Sequence, residues 1–303
     1  MTIAIRAAAL CMLALAAPAA ALAQDAECDR DCLDGFAAAY LDSLAANDVS
    51  ELALAEDVRV TEDAVEIAPG EGFWTRTIGL QTRRLTALDP DWGVAAGLAV
   101  MNADDGTQSL LAYRLKIKDG AISEIEQFVV DDRDEDEEGG NVFGGNYADR
   151  EILQAPRDEF RGAVDPMVQN SRTELIQLVQ YYPDGLKAGS FEAVEAPFAE
   201  GAERIENGTI TAGPRCRFND TCQDMLTQPS PTRPTLRERI LAVDEHDGIV
   251  FMWMDWVQQS GGRTLEVYEA FRIRAGKIEA VDAFIEHGDP DVYPGWPVTR
   301  LPE

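Results

Sequence analysis

The chain repeats itself. Tyr40-Leu41-Asp42-Ser43-Leu44-Ala45-Ala46 is answered by Tyr182-Pro183-Asp184-Gly185-Leu186-Lys187-Ala188. Ala55-Glu56 and Glu62 are answered by Ala199-Glu200 and Glu206, and Arg84, Ala87, Asp89 and Gly93 by Arg239, Ala242, Asp244 and Gly248. Ile117, Gly120, Ile122 and Phe128 return as Ile273, Gly276, Ile278 and Phe284. The order is kept, and the offset grows from about 145 to about 156 residues only through loop insertions. That period is too long for a solenoid and fits a duplicated domain.

Each copy opens with a helical pattern. In the second, Ser171-Arg172-Thr173-Glu174 is a capping box ahead of Leu175, Leu178, Val179 and Tyr182. In the first, Leu33, Phe36, Ala37, Tyr40, Leu41 and Leu44 have the same spacing. A short extended segment carrying Glu62 or Glu206 follows. Long strands come next: Leu110 to Lys118 turns through Asp119-Gly120 into Ala121 to Val130, and Val267 to Arg274 turns through Ala275-Gly276 into Lys277 to Ile285. Ile249 to Val257 is nearly all apolar, as in a strand covered on both faces. A helix followed by a curved antiparallel sheet is an α+β plan.

The first 23 residues read as an export signal. Arg6 is a minimal charged start, Ala7 to Ala20 is apolar, and Ala21-Leu22-Ala23 is an A-x-A cleavage site before Gln24. The apolar run is shorter than the ~20 residues of a spanning helix and breaks at Pro18, and no later stretch can span a bilayer. Cleavage after Ala23 predicts a periplasmic or secreted protein of two domains, residues 24–130 and 168–288, joined by a linker over 131–167 and ending in a tail over 289–303. The linker opens with seven acids in the eight residues Asp131 to Glu138, a run that stays solvated and lacks the spacing of an EF-hand loop.

Four cysteines follow the signal, and an even count in an exported chain implies disulfides. Of the three pairings, Cys28–Cys32 with Cys216–Cys222 is favoured; the spacings C-x3-C and C-x5-C suit a zinc site poorly. Charge narrows the partners. With 55 Asp+Glu against 26 Lys+Arg, the formal net charge is −29. Phosphate backbones and anionic lipid repel such a polyanion, which sets aside nucleic acids and membrane surfaces.

The repeat resembles the NTF2-like family, also called SnoaL-like or cystatin-like α+β barrels. The resemblance rests on the N-terminal helix with Tyr-x-Asp-x-Leu and the late hairpin with its D-G-x-I turn, over residues 28–130 and 168–288. The tandem form resembles exported bacterial and fungal proteins of uncharacterised type. It has V-R-V-T-E-D in the first copy, E-R-I-E-N-G in the second and a C-terminal P-G-W. The resemblance implies a cone-shaped sheet wrapped round the helix, ligands entering at its open end, and two domains paired as an intrachain pseudo-dimer. It leaves activity open, because such folds host isomerases, cyclases, hydratases, epoxide hydrolases and binding modules.

Common catalytic motifs are absent: there is no G-x-S-x-G, H-E-x-x-H or P-loop. The two histidines, His246 in an expected turn and His287 after the last strand, argue against histidine–metal chemistry, and neither metal nor cofactor is expected. Carboxylates remain. On a strand, residues 249, 251, 253, 255 and 257 share a face, which sets Asp255 among Ile249, Phe251, Trp253 and Val257. Desolvation there raises its pKa, as acid–base work requires; the alternative is a strand-end acid reaching solvent or accepting an indole N–H. Val100 stands opposite Asp255 in the first copy, so the pocket is expected in the second. Asp282 follows Val281 in the last strand and matches Glu126.

By resemblance to the limonene epoxide hydrolase branch, Asp255 and Asp282 form a carboxylate pair, although Trp253 occupies the place of the bridging arginine. By resemblance to the steroid-isomerase branch, Tyr182 is an oxyanion donor with Asp255 or Glu206 as base. The other readings are a satisfied core tyrosine and a loop-capping acid. Tyr40, Glu62, Trp74, Glu126, Trp253 and Tyr268 are candidate ligand-binding groups, the aromatic ones also fitting a core. The expected function is therefore binding of a small apolar or aromatic molecule, with cofactor-free isomerisation, dehydration or hydration as the chemistry. The rivals are a non-catalytic periplasmic binding or scavenging module and an envelope assembly or structural role.

Overall fold

The structure is a computed structural model that describes residues 28–103, 106–131, 150–217, 219–230, 235–256, 264–288 and 296. The export signal, the acidic run beyond Asp131, Val257 and most of the tail lie outside the described residues.

Helix α1 (Arg30–Ala46) starts where the Asp29 carboxylate accepts the Cys32 N–H at 3.0 Å and ends at Asn47 in the left-handed region. Its buried stripe of Leu33, Ala37, Tyr40, Leu41 and Leu44 lies on the concave face of a six-stranded sheet. The strands are β1 (Leu54–Glu62), β2 (Val65–Ile67), β3 (Thr77–Asp89), β4 (Val94–Ala103), β5 (Gln108–Lys118) and β6 (Ala121–Asp131), in the order β2-β1-β6-β5-β4-β3. The short helix α2 (Arg150–Gln154) leads to the second copy. There α3 (Arg172–Ala188) packs on β7 (Phe198–Glu206), β8 (Thr209–Ala212), β9 (Leu236–Asp244), β10 (Ile249–Trp256), β11 (Thr264–Arg274) and β12 (Lys277–Gly288), in the order β8-β7-β12-β11-β10-β9. The capping box at Ser171 and Glu174 is present. Each half is thus an NTF2-like α+β domain.

Two details differ from the sequence expectation. The segments carrying Glu62 and Glu206 are nine-residue strands that pair in parallel with β6 and β12, so each sheet is mixed. Among the described residues neither sheet closes into a barrel; each has two edge strands. The late hairpins follow the sequence. Asp119-Gly120 has φ of 52° and 75°, and Ala275-Gly276 has 52° and 74°, a pair of left-handed residues that matches the strand twist. Both disulfides form as expected, with Cα separations of 5.2 Å for Cys28–Cys32 and 5.8 Å for Cys216–Cys222.

The sheets meet through their convex faces. Leu98, Val100 and Phe128 from the first pack with Phe251, Trp253 and Phe284 from the second in one buried cluster. Matched residues of the repeat stitch this seam in matched ways. Asp89 accepts the Val243 N–H at 2.9 Å, and Asp244 accepts the Leu88 N–H at 2.9 Å. Arg172 at the start of α3 holds Asp89, and Arg30 at the start of α1 holds Asp244. Arg84 pairs with Asp282 at 2.7 Å, while Arg239 pairs with Glu126. The contacts across the seam are thus reciprocal between matched residues of the two copies.

Arg84 also donates to the carbonyls of Ile152, Leu153 and Ala155, so the end of the connecting segment is anchored on the seam. Trp296 in turn donates its indole N–H to Thr61 of the first domain at 2.9 Å.

Candidate functional site

Strand alternation sorts the sequence candidates into three places. Tyr40, Glu62 and Trp74 belong to the concave side of the first domain, and Tyr182 and Glu206 to that of the second. Trp253, Tyr268, Glu126, Asp255 and Asp282 belong to the seam. The expected grouping of Tyr182 with Trp253, Asp255 and Asp282 is therefore not what the fold assembles. On β10, Val250, Met252 and Met254 face the helix, while Ile249, Phe251 and Trp253 face the other domain. Asp255 shares the second face and pairs with Arg237. Asp282 is wholly buried under Arg84, with Arg157 at 3.5 Å.

The concave side of the second domain carries a buried polar network. Arg204, on β7 two residues before Glu206, donates to the Tyr182 hydroxyl at 3.0 Å, to Thr211 Oγ1 at 2.9 Å and to Gln228 Oε1 at 3.0 Å. Glu206 lies 3.4 Å from the same guanidinium. Glu269, on β11 between Val267 and Phe271, completes the group from the opposite side.

Neither carboxyl oxygen of Glu269 has a hydrogen-bond partner. The Tyr182 hydroxyl is near enough to act on it, but the two do not meet hydrogen-bond geometry. Burial, then the Glu206 carboxylate, push the Glu269 carboxyl up to about 8, against the pull of Arg204 and the Tyr182 hydroxyl. The group is therefore a neutral acid at pH 7. Burial also raises the Tyr182 phenol well above its ordinary value; Glu269 and Glu206 add to the rise and Arg204 opposes it.

The first domain fills the matching side differently. Its row Glu62–Gln127–Tyr113 corresponds in register to Glu206–Ala283–Glu269. Gln127 accepts from Tyr40 at 2.7 Å and donates to Glu62 at 2.5 Å, linking the helix tyrosine to the strand acid. Trp74 donates to Ser43 at 3.0 Å and meets Tyr40 edge-on at 5.7 Å. In the second domain Ala283 stands in the place of Gln127, Arg204 makes the link between Tyr182 and Glu206, and Glu269 stands in the place of Tyr113.

Sequence reasoning missed Arg204 and Glu269. The signal was present: an acid between Val267 and Phe271 on an apolar face is the same pattern that singled out Asp255.

Other features are less suited to chemistry. A hollow of about 530 Å³ lies between the Cys28–Cys32 bridge, Trp92 and the Lys116–Gly120 turn, and another of about 270 Å³ between Arg30, Arg172 and His246. Neither touches the network. Among the described residues, Asp244, His246 and Asp247 are the one cluster close enough to hold a metal, but Asp244 is already occupied by Arg30 and two backbone N–H groups. No described helix is long and apolar enough to cross a membrane.

The fold is that of two NTF2-like α+β domains in tandem. The chain belongs to the family described as Domain of unknown function (DUF8021), which matches it over residues 26–129 and again over 168–285. No curated protein matches it. Among solved structures it is similar to a candidate ketosteroid isomerase from Kribbella flavida, with 23% identity, 34% of this chain and 82% of that one covered, and a TM-score of 0.29. It is also similar to an NTF2-like protein of unknown function from Burkholderia xenovorans (13% identity, 43% and 95% covered, TM-score 0.29). A third, from Shewanella baltica, is likewise an NTF2-like protein of unknown function (14%, 37% and 91%, TM-score 0.26).

Proposed function

We propose that the second domain binds a small apolar or aromatic molecule against its concave face and performs cofactor-free acid–base chemistry on it. Tyr182 and the neutral Glu269 offer protons to a developing oxyanion, and Glu206, held by Arg204, is the base. Isomerisation, dehydration and addition of water are all within reach of such a set. The observation that carries this reading is the replacement of the Glu62–Gln127–Tyr113 row by Glu206–Ala283–Glu269. Arg204 already links Tyr182 to Glu206 as Gln127 links Tyr40 to Glu62, so packing alone does not call for Glu269, a buried acid that costs free energy. The first domain then acts as a scaffold, the chain as its own pseudo-dimer, and the protein works after export.

The test uses the full chain and an enolisable aromatic ketone in D2O at pH 7, with α-proton exchange followed by NMR. Exchange above the buffer rate is expected, reduced at least about 100-fold in Y182F and in E269Q. Saturable binding without exchange would establish the non-catalytic module instead. An E269Q variant that exchanges at the native rate removes Glu269 from the chemistry.

A further inference from the structure

The seam carries a second asymmetry. In the first domain the row Thr82–Val100–Leu110–Val130 crosses the convex face in direct register. The matching row of the second domain is Arg237–Asp255–Glu266–Glu286. Asp255 and Glu266 are buried and directly opposite each other on neighbouring strands. Like charges so placed repel, and burial strengthens the repulsion.

We infer that Asp255 and Glu266 share one proton and make the strength of the inter-domain seam depend on pH, tighter in acid and looser above neutrality. Among the described residues, the arginines nearest the pair are already engaged by acids. Arg237 on β9 is paired with Asp255. Arg239 on β9 is paired with Glu126 of β6, which also accepts from Tyr268 at 2.9 Å. Glu286 on β12 stands next in the row, and Asp63 after β1 faces the pair as a further acid that burial pushes up to about 8. Beside this row Phe128 of one domain stacks on Tyr268 of the other at 4.8 Å, so repulsion here bears directly on the packing between domains.

Burial and then Asp255 push Glu266 up to about 7, with the Trp253 indole pulling the other way. A carboxyl raised on folding contributes stability below its ordinary value of 4.5, and that stability is lost as pH rises through about 7.

Urea-unfolding midpoints of the full chain between pH 4.5 and 8.5 test the inference in the native protein, E266Q, D255N and the double variant. The native midpoint is expected to fall toward pH 7. Each single variant should lose the same part of that fall, and the double variant no more than either, because one proton serves both acids. A native-sized fall in E266Q, or effects that add in the double variant, overturns the inference. Should E266Q not fold, D255N with 13C NMR of the Glu266 carboxyl decides. Its titration midpoint near 7 is expected to drop toward 4.5 when Asp255 is neutralised, and an unmoved midpoint overturns the shared proton.

Discussion

Glu269 shows how far one residue can be read. Its burial makes ionisation costly, and no hydrogen bond compensates the carboxyl oxygens. The folded chain therefore holds a proton that the unfolded chain releases at its ordinary value of 4.5. The contribution of this group is fully present below pH 4.5 and declines as pH rises through about 8. E269Q, which cannot titrate, should lessen the fall in urea midpoint between pH 7 and 8.5, the range above the Glu266 window. An unchanged slope there would mean that Glu269 is solvated in solution.

At the level of elements, α3 shows what local patterning settles and what close approach settles. The capping box and the apolar stripe are legible from the order of residues alone. The role of Gly185 is not: an added Cβ would stand 2.3 Å from the ring of Phe191, which packs on Tyr182 at a centroid distance of 5.1 Å. Gly185→Ala is expected to destabilise by about 1–3 kcal/mol through overpacking, despite the better helix propensity of alanine. Thermal unfolding measures the change. A gain in stability would show that propensity outweighs the clash. Likewise, alternation on β10 is evident from sequence. Both its faces are apolar, though, so the pattern could not say which one meets the helix and which meets the other domain.

For the molecule as a whole, the seam carries the largest exposure to mutation. Arg84 is buried and is the closest of the two arginines facing Asp282, with Arg157 farther off. Arg84→Ala should cost about 3–5 kcal/mol, because it leaves buried charge poorly compensated and frees three carbonyls of the connecting segment. Replacing both partners by apolar residues, as in R84M/D282L, should recover much of that loss. Chemical denaturation of the three proteins measures the cycle. A small effect of Arg84→Ala alone would mean that the seam contributes little to stability.

By itself the sequence determined the duplication, the α+β plan of each copy, the hairpin turns, the helix cap and both disulfides. These depend on neighbours along the chain, on periodicity, or on cysteines a few residues apart. It also singled out the titratable residues that matter at the seam, Asp255, Asp282 and Glu126, and two members of the interior network, Tyr182 and Glu206. Only the tertiary structure decided how they group. A strand shows two faces, and the period of two says which residues share one but not what covers it. Here the first domain covers one face of the second sheet and α3 the other, so Asp255 and Tyr182 fall on opposite sides of a single sheet. The parallel pairing of β7 with β12 brings Arg204 and Glu206 opposite Glu269, more than 60 residues away along the chain.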